Sequence, residues 1–307
     1  MLTSENAESR RPCQCIRAEK NRNLKNSALD ATPIFIDNRH SHAKTRKPIA
    51  LFRRLRILIL LFILATVAVS TWRAKARVAD WRYPLRVAVY PINGDQSAVT
   101  QAYISRIKID AFEPIADFLD DEAKRYDVAM SYGKPIHLVL APEVKTQPPM
   151  PPNRGSILQN ILWSLQFRYW AYRADGLAGP TPHIRLFVRF FDPATHEVVP
   201  NSVGLEQGMI GIVNTYANKK FEGRNNVVIA HELLHTVGAQ DKYDPRTNQP
   251  LHPQGYAEPE AEKLYPQRWA EIMGGRIPLS PNTAAMPRGL HETLVGDQTA
   301  REIQWVK

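Results

Sequence analysis

His231 and His235 stand four residues apart with Glu232 beside the first, in the run His231-Glu232-Leu233-Leu234-His235. On a helix, positions i and i+4 share a face, so the two imidazoles can converge on one metal ion. Glu232 then reaches a water at that ion. Imidazole suits zinc, and an adjacent carboxylate is the general base that metal-assisted hydrolysis requires. The alternative is a solvated helix face, since this pattern arises by chance in roughly one chain in a hundred of this composition. The flanks favour a helix that packs: Asn225 or Asn226 as its N-cap, Val227, Ala230, Leu234 and Val237 as its core-facing stripe, and Gly238 as the left-handed residue that ends it.

Beyond His235 the chain reads Thr236-Val237-Gly238-Ala239-Gln240-Asp241. Gly238 lets the backbone leave the helix sharply and returns Asp241 towards the two histidines. This run resembles the metzincin signature of zinc endopeptidases, in its membrane-anchored bacterial form. In most of that clan the third ligand is His, whereas this chain has Asp, as some bacterial members do. The resemblance implies Zn2+ held by His231, His235 and Asp241, with Glu232 as catalytic base. Two histidines and a carboxylate form a catalytic ligand set with an open fourth position. Glu271-Ile272-Met273-Gly274-Gly275 looks like the clan's Met-turn, which implies that Met273 packs beneath the histidines without coordinating. Glu271 is a rival third ligand, as in zinc peptidases that use a distant Glu, but the spacing from Gly238 favours Asp241. Residues match only over 231–241 and 271–275, while the outline covers roughly 84–307.

The reaction so implied is hydrolysis of a peptide bond in a peptide or protein substrate, by a zinc-activated water with Glu232 taking and returning its proton. A donor to the developing oxyanion is also needed. Tyr243 is the nearest candidate, with Tyr256 and Tyr265 as alternatives. Asp244 is expected to brace the metal loop, and His137, His183, His196, His252 and His291 have no ligand spacing. Two other readings keep the zinc: an amide hydrolase acting on a cell-envelope component, and a membrane-tethered binding module without catalysis. Glu232 argues against the module, because a structural site needs no base.

To hold such a site the chain must supply a sheet and helices, and the pattern from Tyr83 onward does. Strands are expected at 85–91, 136–141, 183–191 and 209–213. Two short helices are expected between Ser97 and Tyr126, because Pro114 suits a first turn. Five prolines between Pro142 and Pro152 make a loop, and Ser156 caps a helix whose Leu158, Ile161, Leu162, Leu165 and Tyr169 share one face and which stops near Asp175-Gly176. The fold class expected is α+β, an α/β-like sandwich with a mixed twisted sheet. An upper subdomain, 84–238, carries the active-site helix. A loop-rich lower subdomain, 239–307, holds eight prolines from Pro245 to Pro287 and ends in a helix. The resemblance further implies that 209–215 is an antiparallel edge strand on which extended substrate pairs.

The net charge of +10 belongs to the N-terminal end. Residues 1–77 hold sixteen of the forty Lys and Arg but five of the thirty acids, leaving −1 for the rest, so the domain lacks the basic surface of a nucleic-acid binder. Leu55 to Trp72 is an eighteen-residue stretch whose only charge is Arg56. As a helix it rises about 27 Å, enough to span a bilayer. It begins too late for an ordinary cleaved signal peptide, which makes it a signal anchor, although Ala74-Lys75-Ala76 could serve as a cleavage site. The expected layout is a disordered basic tail at 1–54, a transmembrane anchor at 55–72, a linker at 73–83 and the metallopeptidase domain at 84–307. Six Lys or Arg before the span and five after it favour a cytoplasmic tail and an extracytoplasmic domain, periplasmic or extracellular. Both cysteines, Cys13 and Cys15, lie in the tail, so the domain depends on its core and not on disulfides.

Overall fold

The structure is a computed structural model and describes residues 49–78, 81–152, 155–206 and 209–306. The tail, with Cys13 and Cys15, lies outside the described residues up to Lys47. Contacts divide the chain after Arg53, and the unit Arg54–Lys307 holds the fold described below. The first helix, α1, runs Ile49–Val78 and so takes in most of the expected linker. Its Ile57 to Leu64 side chains are all exposed. Among the described residues no helix is long and apolar enough to cross a membrane. The side chains of α1 are described no further than Val69, so the expected span at 55–72 falls partly outside them.

Five strands, β1 Leu85–Asn93, β2 Ile136–Leu140, β3 Ile184–Phe191, β4 Val203–Leu205 and β5 Ile210–Tyr216, form one mixed sheet in the order β2-β1-β3-β5-β4. The first four in that order are parallel and β4 runs antiparallel to β5. The protein is thus α+β, as expected. Parallel strands buried on both faces read as near-continuous apolar runs, which is how β1 and β3 read. Val87 and Val89 enter one core, and Ala88, Tyr90 and Ile92 the other.

The helices α2 Ala98–Ile104, α3 Glu113–Arg125 and α5 Glu222–Thr236 contribute to the first core, and α4 Ile157–Ala174 to the second. Ser97 caps α2 and Pro114 sits in the first turn of α3, which is where the break between two short helices was expected. Ser156 caps α4 with a full capping box through Gln159. A last helix, α6, spans Asp297–Glu302. Between α5 and α6 the chain is irregular and held by three two-stranded pairs.

Four findings correct or extend the reading of the sequence. Strand β5 is not the sheet edge: it lies between β3 and β4 with its side chains buried, and β4, too short to stand out in the sequence, is the antiparallel edge. The apolar face of α4 marked out by its spacing turns outward, with Leu158, Ile161, Leu162, Leu165 and Tyr169 all over half exposed. Instead Phe167 and Ala171 are buried, and Trp170 packs edge-on 4.7 Å from Phe187 of β3. This helix has two apolar faces, so periodicity alone could not choose between them. Asn225 and Asn226 do not cap α5, which starts at Glu222. They bond tertiary partners, Asn225 exchanging two hydrogen bonds with the Tyr216 backbone and Asn226 donating to Ala111 O. Finally, the domain begins before residue 84. Trp81 is buried, donates to Ile303 O at 2.7 Å and meets Trp305 edge-on at 5.6 Å.

Candidate metal centre

Helix α5 buries Val227, Ile229, Ala230, Leu233 and Leu234, which locks the rotation of its opposite side. That side carries His231 and His235, half-buried, in the order the i, i+4 spacing requires. Gly238, with φ +112°, ends the helix as expected and turns the chain back. The return brings Asp241 to the histidines, so that one ligand atom from each of the three lies within 4.8 Å of the others.

The distances are tighter than that. His231 Nε2 and His235 Nε2 are 3.1 Å apart, and Asp241 Oδ1 is 3.1 Å from the first and 3.0 Å from the second. Each ring is oriented from behind: His231 Nδ1 lies 2.9 Å from Ile272 O and His235 Nδ1 lies 2.8 Å from Ala239 O. A carbonyl can only accept, so both Nδ1 atoms carry the proton. Both Nε2 lone pairs then point at each other and at a carboxylate oxygen, an arrangement that repels unless a cation sits among them. A tetrahedral ion with ligands at about 2.0–2.1 Å has edges of about 3.3 Å. The donor set is of the kind Zn2+ takes, and its edges of 3.0–3.1 Å are close to that value.

The turn at 271–274 sets this geometry. Gly274 N–H donates to Glu271 O, and the turn presents Ile272 O to His231 and Met273 O to Lys242 N–H, the residue after Asp241. Met273 is fully buried and belongs to the first core. Glu271 is fully buried as well, but its carboxylate is spent on Gly274 N–H, Gly296 N–H and the Thr299 hydroxyl. It braces the turn and is not part of the ligand group. On the other side of Asp241, Glu302 accepts from Gln240 N–H at 2.9 Å and Lys242 Nζ at 2.7 Å. Asp244 accepts from Arg246 N–H, which holds its carboxyl below the usual range, and its main chain closes the next turn.

Glu232 is buried, and its Oε2 has no hydrogen-bond partner among the described residues. Burial pushes its pKa up, against the pull of His231, His235 and the Gly204 backbone. A buried carboxylate oxygen without a partner is costly, and here it stands beside the ligand group. Tyr243 lines the same cavity of about 350 Å3 together with His231 and Glu232, its ring centre 6.2 Å from that of His231. Burial raises its phenol to about 12, so it stays a donor at neutral pH. Tyr256 and Tyr265 bond each other and do not line the cavity. Among the described residues His137, His183, His196, His252 and His291 belong to no metal group.

Sequence reasoning missed the part played by β4. Gly204 lies flat against α5: a Cβ there would stand 2.5 Å from His235 Cβ and 2.8 Å from Glu232 O. A Val-Gly-Leu triplet carries no signal of this. We expect Gly204→Ala to push the edge strand off the helix and cost about 1–3 kcal/mol, read by denaturant unfolding beside the parent chain.

Metal-free, burial opposes a charge on His231, but Asp241 and Glu232 overcome it and hold the imidazole up at about 8. Below that pH a proton must leave before a cation can bind. Apparent zinc affinity should therefore fall about tenfold per unit as pH drops below about 8 and level off above it, which competition titrations with a chromophoric chelator would measure. The same protonation stabilises the metal-free fold at low pH, fully below the ordinary histidine value, and is lost as pH rises through about 8.

Compared with known proteins, the chain matches no family model and no curated protein. The functional reading rests on this geometry and on the resemblance of its motifs.

Proposed function

We propose that the chain is a zinc-dependent endopeptidase of metzincin-like type. The observation that carries this reading is the triangle of acceptor atoms from His231, His235 and Asp241 with the unpartnered Oε2 of Glu232 beside it. A purely structural metal site has no use for the second feature. When bound, zinc supplies Lewis acidity, acidifying a water and polarising the scissile carbonyl. The Glu232 carboxylate takes a proton from the attacking water as its oxygen bonds the carbonyl carbon. It then gives that proton to the nitrogen that leaves when the C–N bond breaks. The Tyr243 hydroxyl, on the wall of the same cavity, would donate to the oxyanion between those events. Strand β4 favours an extended peptide over a cell-envelope amide as substrate, because it is the outer strand of the sheet and packs against α5 through Gly204. Residues 55–72 would tether this domain to a membrane, with the domain on the extracytoplasmic side.

Metal analysis of the purified chain beside His231→Ala and His235→Ala, followed by mass spectrometry of a mixed-sequence peptide library, tests the reading. One zinc per chain, lost in either variant, and discrete cuts by the zinc-loaded parent are expected. Full zinc retention in both variants ends the metal assignment. A zinc-loaded, folded chain that cuts no peptide moves the substrate to envelope amides.

A further inference from the structure

The outward face of α4 is an apolar surface that no other described element covers. Ile157, Leu158, Ile161, Leu162 and Leu165 are between 51% and 82% exposed, and Tyr169 and Tyr172 continue the stripe at 65% and 77%. At 100° per residue these seven positions fall within an arc of about 140°. Soluble surfaces seldom leave so many neighbouring large apolar side chains in water. The helix contains no acidic residue, and the exposed Arg173 falls at one margin of the stripe, at its C-terminal end. The opposite side of α4 is fixed to the sheet by Phe167 and Ala171 and by Trp170 on Phe187. The stripe therefore cannot turn inward.

We infer that this face lies on a lipid bilayer with anionic headgroups. An apolar arc with tyrosines and an arginine at one end is the pattern of a helix lying in the membrane interface, its apolar side about 5–10 Å deep. Arg173 would meet lipid phosphate while the aliphatic residues enter the acyl boundary. A second copy of the chain fits less well. An 18-residue helix is about 27 Å long and about 10 Å wide, a footprint near 270 Å2, against about 800 Å2 per partner in a stable dimer. Eight residues separate Trp72 from Trp81, and with 73–78 helical their reach is below about 30 Å. That last argument rests on the proposed tether, whereas the composition of α4 stands without it.

The test uses the full chain with Cys13→Ser and Cys15→Ser, bound to vesicles of phosphatidylcholine and phosphatidylglycerol. Single cysteines at Leu162→Cys, Ile59→Cys and Lys263→Cys carry an environment-sensitive fluorophore, and brominated acyl chains serve as quencher. The label at 162 should be quenched about twofold or more and the one at 263 unaffected. Replacing phosphatidylglycerol with neutral lipid should weaken the effect at 162. Quenching at 59 without quenching at 162 overturns the inference and leaves the tether standing. Quenching at 162 alone upholds the inference and removes the tether. Concentration-dependent crosslinking between two chains through 162, with no quenching, overturns it in favour of a dimer.

Discussion

Glu232→Gln should keep one zinc per chain and lower peptide hydrolysis by about two to four orders of magnitude, the range that a positioned general base contributes. The amide is nearly the same size as the carboxylate, so the helix, the histidines and Asp241 stay in place. What disappears is the proton acceptor. The variant should also unfold later than the parent when both are metal-free near neutral pH. Burial raises the Glu232 pKa, so the ionised group opposes folding at pH values above its ordinary range, and a neutral side chain removes that penalty. Loss of activity together with unchanged metal content and a gain in stability would separate a catalytic carboxylate from a structural one. A variant that still cuts at the parent rate would remove Glu232 from the chemistry.

Glu271→Ala and Asp241→Ala should fail in opposite ways. Removing the Glu271 carboxylate strands Gly274 N–H, Gly296 N–H and the Thr299 hydroxyl in a fully buried place. At about 1–3 kcal/mol for each unmet donor, a loss of about 3–5 kcal/mol is expected, visible in denaturant unfolding with a chelator present. Asp241 has a side chain 46% exposed, so its replacement should cost the metal-free fold only the support it gives to protonated His231, less than Glu271→Ala costs, while weakening zinc binding by orders of magnitude. The opposite pattern, with zinc held in Asp241→Ala and released by a stably folded Glu271→Ala, would make Glu271 the third ligand.

The parts of the site that were legible in the sequence are those fixed by local geometry. The i, i+4 histidines, the glycine at 238 and the return of Asp241 all depend on a few consecutive backbone angles, and so did the placement of β1, β2, β3 and β5. The parts that were not legible depend on distant pairing. Nothing in Val203-Gly204-Leu205 announces an edge strand, because β4 exists only through its pairing with β5 and its seat on α5. Asn225 and Asn226 have the chemistry of caps and are used instead to tie α5 to Tyr216 and Ala111. In α4 two apolar faces compete, and the aromatic one wins because Trp170 and Phe167 meet Phe187 across the layer. Glu271 had the right chemistry for a ligand, and only its three donors show that it serves the turn.

The contact between Trp81 and the C-terminal turn joins the two ends of the domain mechanically. Trp81 holds Ile303 O, and the neighbouring Glu302 holds Gln240 and Lys242, the residues on either side of Asp241. Tension applied to the chain ahead of Trp81 thus has a path through Ile303 and Glu302 to the loop that carries Asp241. A pull on the N-terminal end would reach that loop as well as β1, which begins four residues on.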